Sequence, residues 1–150
     1  MITYRAAGLL DLPVLLSLDK QLFPYSPWSV AQFKEEFAGI PKTRFFLVAC
    51  NQAGEIVGYA GVFAPAPGVA ADITTVGVIA QYRRKGIARE FITQIEAWAR
   101  LRQSCAVMLE VKSDNLAAIN LYQSMGYMKI SIRINYYGPN MDAQVLRKEL

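Results

Sequence analysis

Three basic side chains stand directly before a glycine at the start of an apolar helical pattern. Arg83, Arg84 and Lys85 precede Gly86, and apolar residues then recur at helical spacing from Ile87. The free backbone N–H groups of a helix N-terminus, with the positive end of its dipole, bind anions such as phosphate. A solvated basic turn would contain the same residues. The stretch lacks the lysine-then-hydroxyl ending of an ATP-binding loop and the three glycines of a dinucleotide-binding loop. It therefore predicts a phosphate cradle of another kind.

A single carboxylate, Glu110, lies in the middle of an apolar, strand-like segment. Because Val107, Leu109 and Val111 alternate onto one face, Glu110 is expected on the other. Desolvating a carboxylate is costly unless it faces a wet cleft or a partner, and a desolvated carboxylate gains the proton affinity of a general base. The alternative is an ordinary solvent-facing residue paired with Lys112.

A tyrosine and an amide lie two helical turns apart further along the chain. Tyr122 follows Asn115 by seven residues, so both fall on one face of a predicted helix. A phenol can donate a proton to a leaving group, and a side-chain amide can hold a ligand that carries amides. On these residues alone, Tyr122 is more simply a core tyrosine whose hydroxyl has a partner.

Two predicted loops are rich in aromatic residues. Tyr25 and Trp28 lie in an early loop with two prolines, and Tyr136 and Tyr137 precede the last predicted strand. Exposed aromatics on loops mark binding sites more often than fold requirements, so these four are predicted to flank a groove for a peptide. The alternative is that they seal the ends of the sheet.

Length and composition limit the classes of protein to consider. With 150 residues, 53% of them hydrophobic and 19% charged, the chain suits one globular domain, predicted to span 1–150. No apolar run approaches the ~20 residues of a membrane span, and residues 1–13 lack the features of a signal peptide. We therefore expect a cytoplasmic protein without membrane contact. The net charge of +4 does not distinguish between possible partners.

The cysteine and histidine content bears on redox and metal chemistry. Cys50 and Cys105 lie in apolar, strand-like runs and are predicted to be buried free thiols, with a disulfide as the alternative. A chain with no histidine and no paired-cysteine motif is a poor candidate for a transition-metal site, so none is predicted. Acid–base chemistry would then use carboxylates, tyrosines, lysines or the backbone.

Hydrophobic periodicity and turn signals place these residues on a mixed α/β pattern. Strands are predicted over 2–7, 44–50, 55–64, 72–79, 105–111, 127–136 and 141–149, and helices from Asp11, after Ser29, from Gly86, and after a cap at Ser113 or Asp114. Ser29 and Gln32 have the spacing of a capping box. The order β-α-α-β-β-β-α-β-α-β-β predicts a sheet with helices on its faces, in which the strands at 72–79 and 105–111 are a parallel pair.

Two stretches together resemble the GNAT superfamily of acetyl-CoA-dependent acyltransferases. The Arg-x-x-Gly-x-Ala pattern from Arg83 to Ala88 resembles that family's pyrophosphate loop, and the segment from Asn115 to Tyr127 resembles its downstream helix. FPYSPWS, LEV, and RINYYG followed by Asp142 extend the resemblance over nearly the whole chain. They point to one branch, the bacterial enzymes that acetylate the N-terminal alanine of a small-subunit ribosomal protein. The family implies an α/β fold with a mixed, mostly antiparallel central sheet, one parallel strand pair and helices on both faces.

The resemblance also implies a role for each matching position. It implies acetyl-CoA as co-substrate, Glu110 as general base and Tyr122 as general acid. The implied cofactor-binding residues are Val76, Gly77 and Val78 on a strand, Arg83, Arg84, Lys85, Gly86, Ile87, Ala88 and Arg89 in the loop, and Asn115. The chain departs from the family where Ile-Ala-Gln follows Val78 in place of the usual Asp-Pro turn. The expected partner is a protein or peptide N-terminus, that of a ribosomal protein, for a monomer or weak dimer that binds no nucleic acid.

Two other functions are compatible with the sequence. The same fold could acetylate lysine side chains or small amines, or it could be a catalytically silent acyl-CoA-binding module. The presence of both Glu110 and Tyr122 argues against the silent module.

Overall fold

The computed structural model describes residues 1–150 and shows a seven-stranded sheet with helices on both faces. The strands are β1 (Thr3–Ala6), β2 (Arg44–Cys50), β3 (Ile56–Phe63), β4 (Ala71–Val78), β5 (Ala106–Lys112), β6 (Met128–Arg133) and β7 (Ala143–Glu149); the helices are α1 (Leu12–Leu22), α2 (Val30–Ala38), α3 (Ile87–Leu101) and α4 (Leu116–Ser124). The sheet order is β1-β2-β3-β4-β5-β7-β6, and only β4 and β5 are parallel. The predicted element order and the mixed sheet with one parallel pair are confirmed.

The predicted capping box begins α2. The Ser29 hydroxyl accepts a hydrogen bond from the Gln32 backbone N–H at 3.1 Å, and the Gln32 side chain accepts one from the Ser29 N–H at 2.8 Å. Two otherwise free donors of the helix start are thereby satisfied. The α2 start is therefore held in place directly after the aromatic loop, which we define as residues 23–28.

The predicted cap of α4 is wrong. Asn115, and neither Ser113 nor Asp114, accepts a backbone N–H of the first turn, at 3.3 Å. The Asp114 carboxylate binds the Lys112 ammonium at 2.9 Å instead, and the turn from β5 therefore continues one residue further before the helix begins. The Asn115 side chain is thus partly occupied by its own helix.

The last two strands are shorter than predicted. The strand predicted over 127–136 ends at Arg133, and β7 begins only at Ala143, so Tyr136 and Tyr137 lie in the connecting turn. The Asp142 carboxylate accepts the Asn135 N–H at 2.8 Å. This side-chain bond closes the turn in place of strand pairing.

Two hydrophobic cores lie on opposite faces of the sheet. One packs beneath α3 and α4 and includes Phe91 and Leu109; the other packs beneath α1 and α2 and includes Leu15 and Tyr59. The predicted buried side of α1 is present, with Leu15 fully enclosed and its neighbouring leucines half-buried. The sheet therefore separates two environments, and strand alternation decides which of them each side chain enters.

A β-bulge separates the end of β4 from β5. Opposite the consecutive residues Gly61 and Val62 of β3, β4 places Thr75 and Ile73, so Thr74 is the extra residue. Beyond Ile73 the pairing of β4 with β5 also ends. Because a bulge bends its strand and increases its twist, we attribute the divergence of the two strands to Thr74. We call the resulting gap between β4 and β5 the fork.

The two cysteines differ in burial. Cys50 is buried as predicted, but Cys105 is exposed, and both are free thiols. Cys105 lies before the first residue of β5, outside the alternation that buries Val107, and its Sγ lies 3.9 Å from the Arg147 guanidinium. The prediction that both thiols are buried is therefore wrong for Cys105. None of the helices combines the length and apolar character that a membrane crossing requires.

Candidate active site

The strand segment 76–78 forms one wall of the fork. On its β3 side it is paired, with Val78 opposite Gly58 and the Ile79 N–H donating to the Val57 carbonyl at 3.0 Å. On the other side no strand pairs with it. Since successive residues of a strand direct their N–H and C=O groups to opposite sides, Val78 directs its own into the fork. The arrangement can therefore accept a further extended chain along this side of β4.

The segment that leads from β4 into the first turn of α3, which we call the phosphate loop (83–89), has an unusual backbone. Arg84 has φ of +61° and Gly86 has φ of +79°, both in the left-handed region. A non-glycine residue in this region is uncommon and tends to occur at functional sites. The Ile-Ala-Gln sequence that replaces the usual turn is accommodated by one 3-10 turn over Ala80–Tyr82.

The N-terminus of α3 presents unpaired backbone donors. No side chain caps it, whereas Ser29 caps α2 and Asn115 caps α4. Ile87 is buried in the core, which fixes the first turn against the sheet, and Gly86 carries no side chain above it. This geometry fits a pyrophosphate, because the first N–H groups of a helix and its dipole favour a bound anion.

The basic side chains around the loop have different contacts. Arg83 donates to the Val78 carbonyl at 3.0 Å, and Arg89 donates to the Ser124 hydroxyl at 3.0 Å, which joins α3 to α4. Arg84 and Lys85 are exposed and make no ion pair. Two of the four predicted cofactor-binding cations thus stabilise the site, while the other two are available to an anion.

Glu110 lies at the base of the fork. It follows Leu109, the last residue of β5 that pairs with β4, and its side chain is on the face opposite the Leu109 side chain, as predicted. Its side chain is 15% exposed, and its carboxylate lies 3.7 Å from the Arg133 guanidinium. The alternative pairing with Lys112 is not found, since Lys112 binds Asp114. Glu110 is therefore half-enclosed in a cleft instead of facing bulk solvent.

A cavity of about 290 Å³ opens beside Glu110, and four carboxylates line it. Its lining residues are Trp28, Gln32, Glu35, Glu36, Asp72, Thr74, Glu110 and Tyr136. We call it the acidic cavity. One cation, Arg133, reaches a carboxylate of this wall, and Arg44 holds Glu36 from outside at 2.7 Å. Glu35 and Asp72 have no basic partner, so the cavity favours a cationic group such as an ammonium ion.

Gln32, Glu35, Glu36, Asp72 and Thr74 line the cavity without having been predicted as site residues, and Asp72 is the most deeply placed carboxylate without a partner among them. It precedes the bulge on β4, opposite Met108 in the parallel register, so it is diagonal to Glu110 on the same face. It makes no hydrogen bond or ion pair, and burial together with the charge of Glu110 raises the pKa of Asp72 to about 7. In the sequence Asp72 is the first residue of the strand predicted over 72–79, so alternation does not single it out as it does Glu110; the only signal is a lone carboxylate at the start of a β-branched run.

Tyr122 lies on the far side of the fork from the acidic cavity. Tyr122 is 7% exposed, and its ring packs edge-on against Tyr127 with ring centroids 6.1 Å apart. Burial raises the pKa of Tyr122 to about 12, so the phenol stays protonated at neutral pH. Its hydroxyl makes no hydrogen bond within the chain, which leaves the proton available to a bound molecule.

The aromatic side chains of the two loops pack against one another, and their place beside a peptide groove stays a prediction. Tyr25 and Tyr137 pack edge-to-face with centroids 5.5 Å apart, and Tyr137 packs likewise on Tyr136 at 4.9 Å. The Lys112 ammonium lies 5.3 Å from the Tyr25 ring centre. Trp28 has features of both a sealing residue and a site residue. It packs on the core beneath α2, and it also lines the acidic cavity.

Comparisons with known proteins agree with this geometry. The profile described as the acetyltransferase (GNAT) family matches residues 13–127. The chain is 32% identical over 152 residues to N-alpha-acetyltransferase RimI of Mycobacterium tuberculosis, covering 99% of this chain and 92% of that protein. It is 28% identical over 134 residues to the [ribosomal protein bS18]-alanine N-acetyltransferase of Escherichia coli strain K12. That alignment covers 89% of this chain and 85% of that protein.

Solved structures share the fold. The crystal structure of the ribosomal-protein-S18-alanine N-acetyltransferase from Escherichia coli superposes with a TM-score of 0.85 at 23% identity, covering 99% of this chain and 94% of that one. The crystal structure of Arabidopsis thaliana NAA60 in complex with acetyl-CoA gives a TM-score of 0.88 at 20% identity. The superposition covers 100% of this chain and 99% of that one. The predicted resemblance is confirmed.

Proposed function

Because the chain belongs to the acetyltransferase (GNAT) family, we propose that it transfers acetyl from acetyl-CoA directly to the α-amine at the N-terminus of a protein in the cytoplasm. The observation that supports this most is the position of Glu110. It stands at the base of the fork, between the strand that would hold the thioester and an acidic cavity bordered by tyrosines. A reaction that joins an acyl donor to an amine needs a binding site for each of them, and Glu110 lies between the two.

The fork and the phosphate loop would hold the donor. The phosphate loop would bind the pyrophosphate through the backbone N–H groups from Arg84 to Arg89, with Arg84 and Lys85 adding charge. The fork side of segment 76–78 would pair with the amide-bearing arm of the cofactor, and Asn115 would contact it with the part of its amide that its helix leaves free. Acetyl-CoA supplies the activated acetyl group.

The chain's own residues would then move the protons. Glu110, directly or through a water, would take a proton from the incoming ammonium group. The Val78 N–H, which faces the fork, would polarise the thioester carbonyl. Tyr122 would give its proton to the departing thiolate. Neither cysteine has the position of a nucleophile, because Cys50 is buried in the core and Cys105 lies at the margin of the sheet. Holding the two substrates together would supply much of the rate.

An α-amine is the acceptor that suits this site best. Its pKa is about 8, against about 10.4 for a lysine side chain, so a carboxylate deprotonates it more readily. The tyrosines at positions 25, 136 and 137 would narrow the opening to an extended chain end. At 28–32% identity, the names of the relatives support a finer proposal, the N-terminal alanine of a small-subunit ribosomal protein.

A pair of peptides tests the proposal. Both begin with alanine and contain internal lysines; one has a free α-amine and the other is blocked there, and the release of CoA is followed. We expect transfer to the free peptide and none to the blocked one. Robust transfer to the blocked peptide would indicate the lysine-directed alternative, and no release of CoA with any amine would indicate the silent module.

A further inference from the structure

One buried carboxylate joins the aromatic loop to the central strands. Asp19, in the last turn of α1, is 1% exposed. One of its oxygens accepts the Trp28 backbone N–H at 2.7 Å, and the other accepts the Tyr59 hydroxyl at 2.6 Å. Burying a charge is costly unless it is fully hydrogen-bonded, so this pair of bonds holds Asp19 in place.

The contacts of Tyr59 carry the link to the fork. Tyr59 is fully buried on β3 and lies opposite Gly77 of β4. A Cβ atom at Gly77 would meet the Tyr59 ring at 3.1 Å and Leu22 of α1 at 3.0 Å. The ring therefore lies directly against the backbone of the strand segment that walls the fork, and a side chain at Gly77 would press on the ring and on Leu22.

The same carboxylate fixes where α2 begins. The Trp28 N–H that binds Asp19 lies one residue before the Ser29 cap, and the Trp28 ring packs on Phe33 with centroids 4.9 Å apart. At the start of the loop, the Phe23 N–H donates to the Asp19 carbonyl at 2.8 Å. The Asp19 carboxylate therefore fixes the end of the aromatic loop, while the last backbone hydrogen bond of α1 fixes its start.

We infer that Asp19 and Tyr59 are positioning residues that hold the aromatic loop at a set distance from the cofactor strand. The inference rests on the proposed function, in which Tyr25 and Trp28 border the acceptor peptide. Neither Asp19 nor Tyr59 lines the acidic cavity or the phosphate loop. They therefore affect the reaction only by positioning the aromatic loop, and their loss should weaken binding of the acceptor peptide more than binding of acetyl-CoA.

Three variants distinguish the effect of the Asp19 hydrogen bonds on the aromatic loop from the effect of Tyr59 packing on the strand. Tyr59→Phe keeps the ring against Gly77 and removes one bond; Asp19→Ala removes both bonds. Asp19→Asn can keep both, because its amide oxygen accepts from Trp28 and its NH₂ group donates to the Tyr59 oxygen. Losing a bond to a charged group should raise the peptide KM roughly tenfold in Tyr59→Phe and Asp19→Ala, and by less than about threefold in Asp19→Asn.

A matched control lies on the other face of the sheet. The buried Tyr127 hydroxyl donates to the Glu96 carboxylate at 2.9 Å, so Tyr127→Phe removes the same kind of bond far from the aromatic loop. We expect Tyr127→Phe to leave the peptide KM unchanged. In all variants, acetyl-CoA affinity from direct titration should stay within about twofold of the parent.

Fluorescence of Trp28 tests the inference independently of activity. In a Trp98→Phe background, Trp28 is the sole tryptophan. Its emission should shift to longer wavelength and its quenching by acrylamide should rise in Asp19→Ala and Tyr59→Phe, but not in Tyr127→Phe or Asp19→Asn. Unchanged Trp28 emission in Asp19→Ala, or equal losses of peptide and acetyl-CoA affinity, would overturn the inference. If the parent acetylates no peptide, the proposed function fails, and the fluorescence alone decides whether the link exists.

Discussion

The phosphate loop and the acidic cavity lie next to the same fork but are assembled differently. The loop takes its groups from seven neighbouring residues, and its useful atoms are backbone N–H groups shaped by left-handed residues. The cavity is lined from the aromatic loop, α2, β4, β5 and the turn before β7, and its useful atoms are side-chain carboxylates. The loop should therefore be broken by changes of backbone shape, and the cavity by changes of a single charged atom.

The largest effect is expected on the cavity side, at Glu110. Glu110→Gln keeps the shape of the side chain and removes the proton acceptor, so kcat should fall by roughly 10²–10⁴-fold. Acetyl-CoA affinity should barely change. Steady-state kinetics and a separate cofactor titration measure the two quantities.

Glu35 offers the control for this prediction. It lines the same cavity but is exposed, so Glu35→Gln should change kcat only a few-fold. Equal effects of the two substitutions, or a Glu110→Gln enzyme with the parent's pH profile, would remove Glu110 from the role of base.

The next effect is expected on the loop side, at Gly86. Gly86→Val forces a β-branched residue into φ of +79° and places methyl groups where a phosphate would approach. Because these methyl groups would keep the phosphate away from the backbone donors, CoA affinity should fall roughly 10- to 100-fold, equivalent to about 1.4–2.8 kcal/mol of binding free energy. Calorimetric titration of CoA measures it.

A control substitution at Gly54 distinguishes backbone strain from obstruction of the phosphate. It has φ of +83° in the turn between β2 and β3, and a Cβ atom added there would have no heavy atom within 4 Å. Gly54→Val carries the same backbone strain away from the fork, so it should lower stability and leave CoA affinity intact. A Gly86→Val protein that binds CoA like the parent would contradict the phosphate cradle.

The smallest effect is expected at Asp72, and it concerns stability. Because the folded-state pKa of Asp72 is raised to about 7, folding favours its protonated form. Its contribution to stability is therefore complete below about pH 4 and is lost as the pH rises towards and through 7. Asp72→Asn should raise the melting temperature by a few degrees at about pH 8 and hardly at about pH 4.5.

Thermal unfolding at the two pH values measures this difference. The exposed Asp114 gives the comparison, since Asp114→Asn removes the same charge outside the cavity. A melting-temperature gain for Asp72→Asn that is the same at both pH values would show that burial of its charge is not the cause.

The contrast between loop and cavity also explains what the sequence could predict. The phosphate loop could be predicted because its residues are consecutive, and the side of β5 that carries Glu110 followed from simple alternation. The bulge at Thr74 leaves no mark on the hydrophobic pattern, so the fork could not be located from the sequence alone. Asp72 on β4 and Glu36 on α2 lie far apart in the chain, and only the packing of α2 against the sheet brings their side chains to one cavity.

Competition between two amines within one peptide tests the central proposal most directly. The substrate is a peptide that begins with alanine and contains one internal lysine, and fragmentation by mass spectrometry locates the acetyl group after partial reaction with acetyl-CoA. We expect acetylation of the alanine α-amine, with the lysine unmodified. Acetyl groups located on the lysine, with the α-amine free, would contradict the proposal.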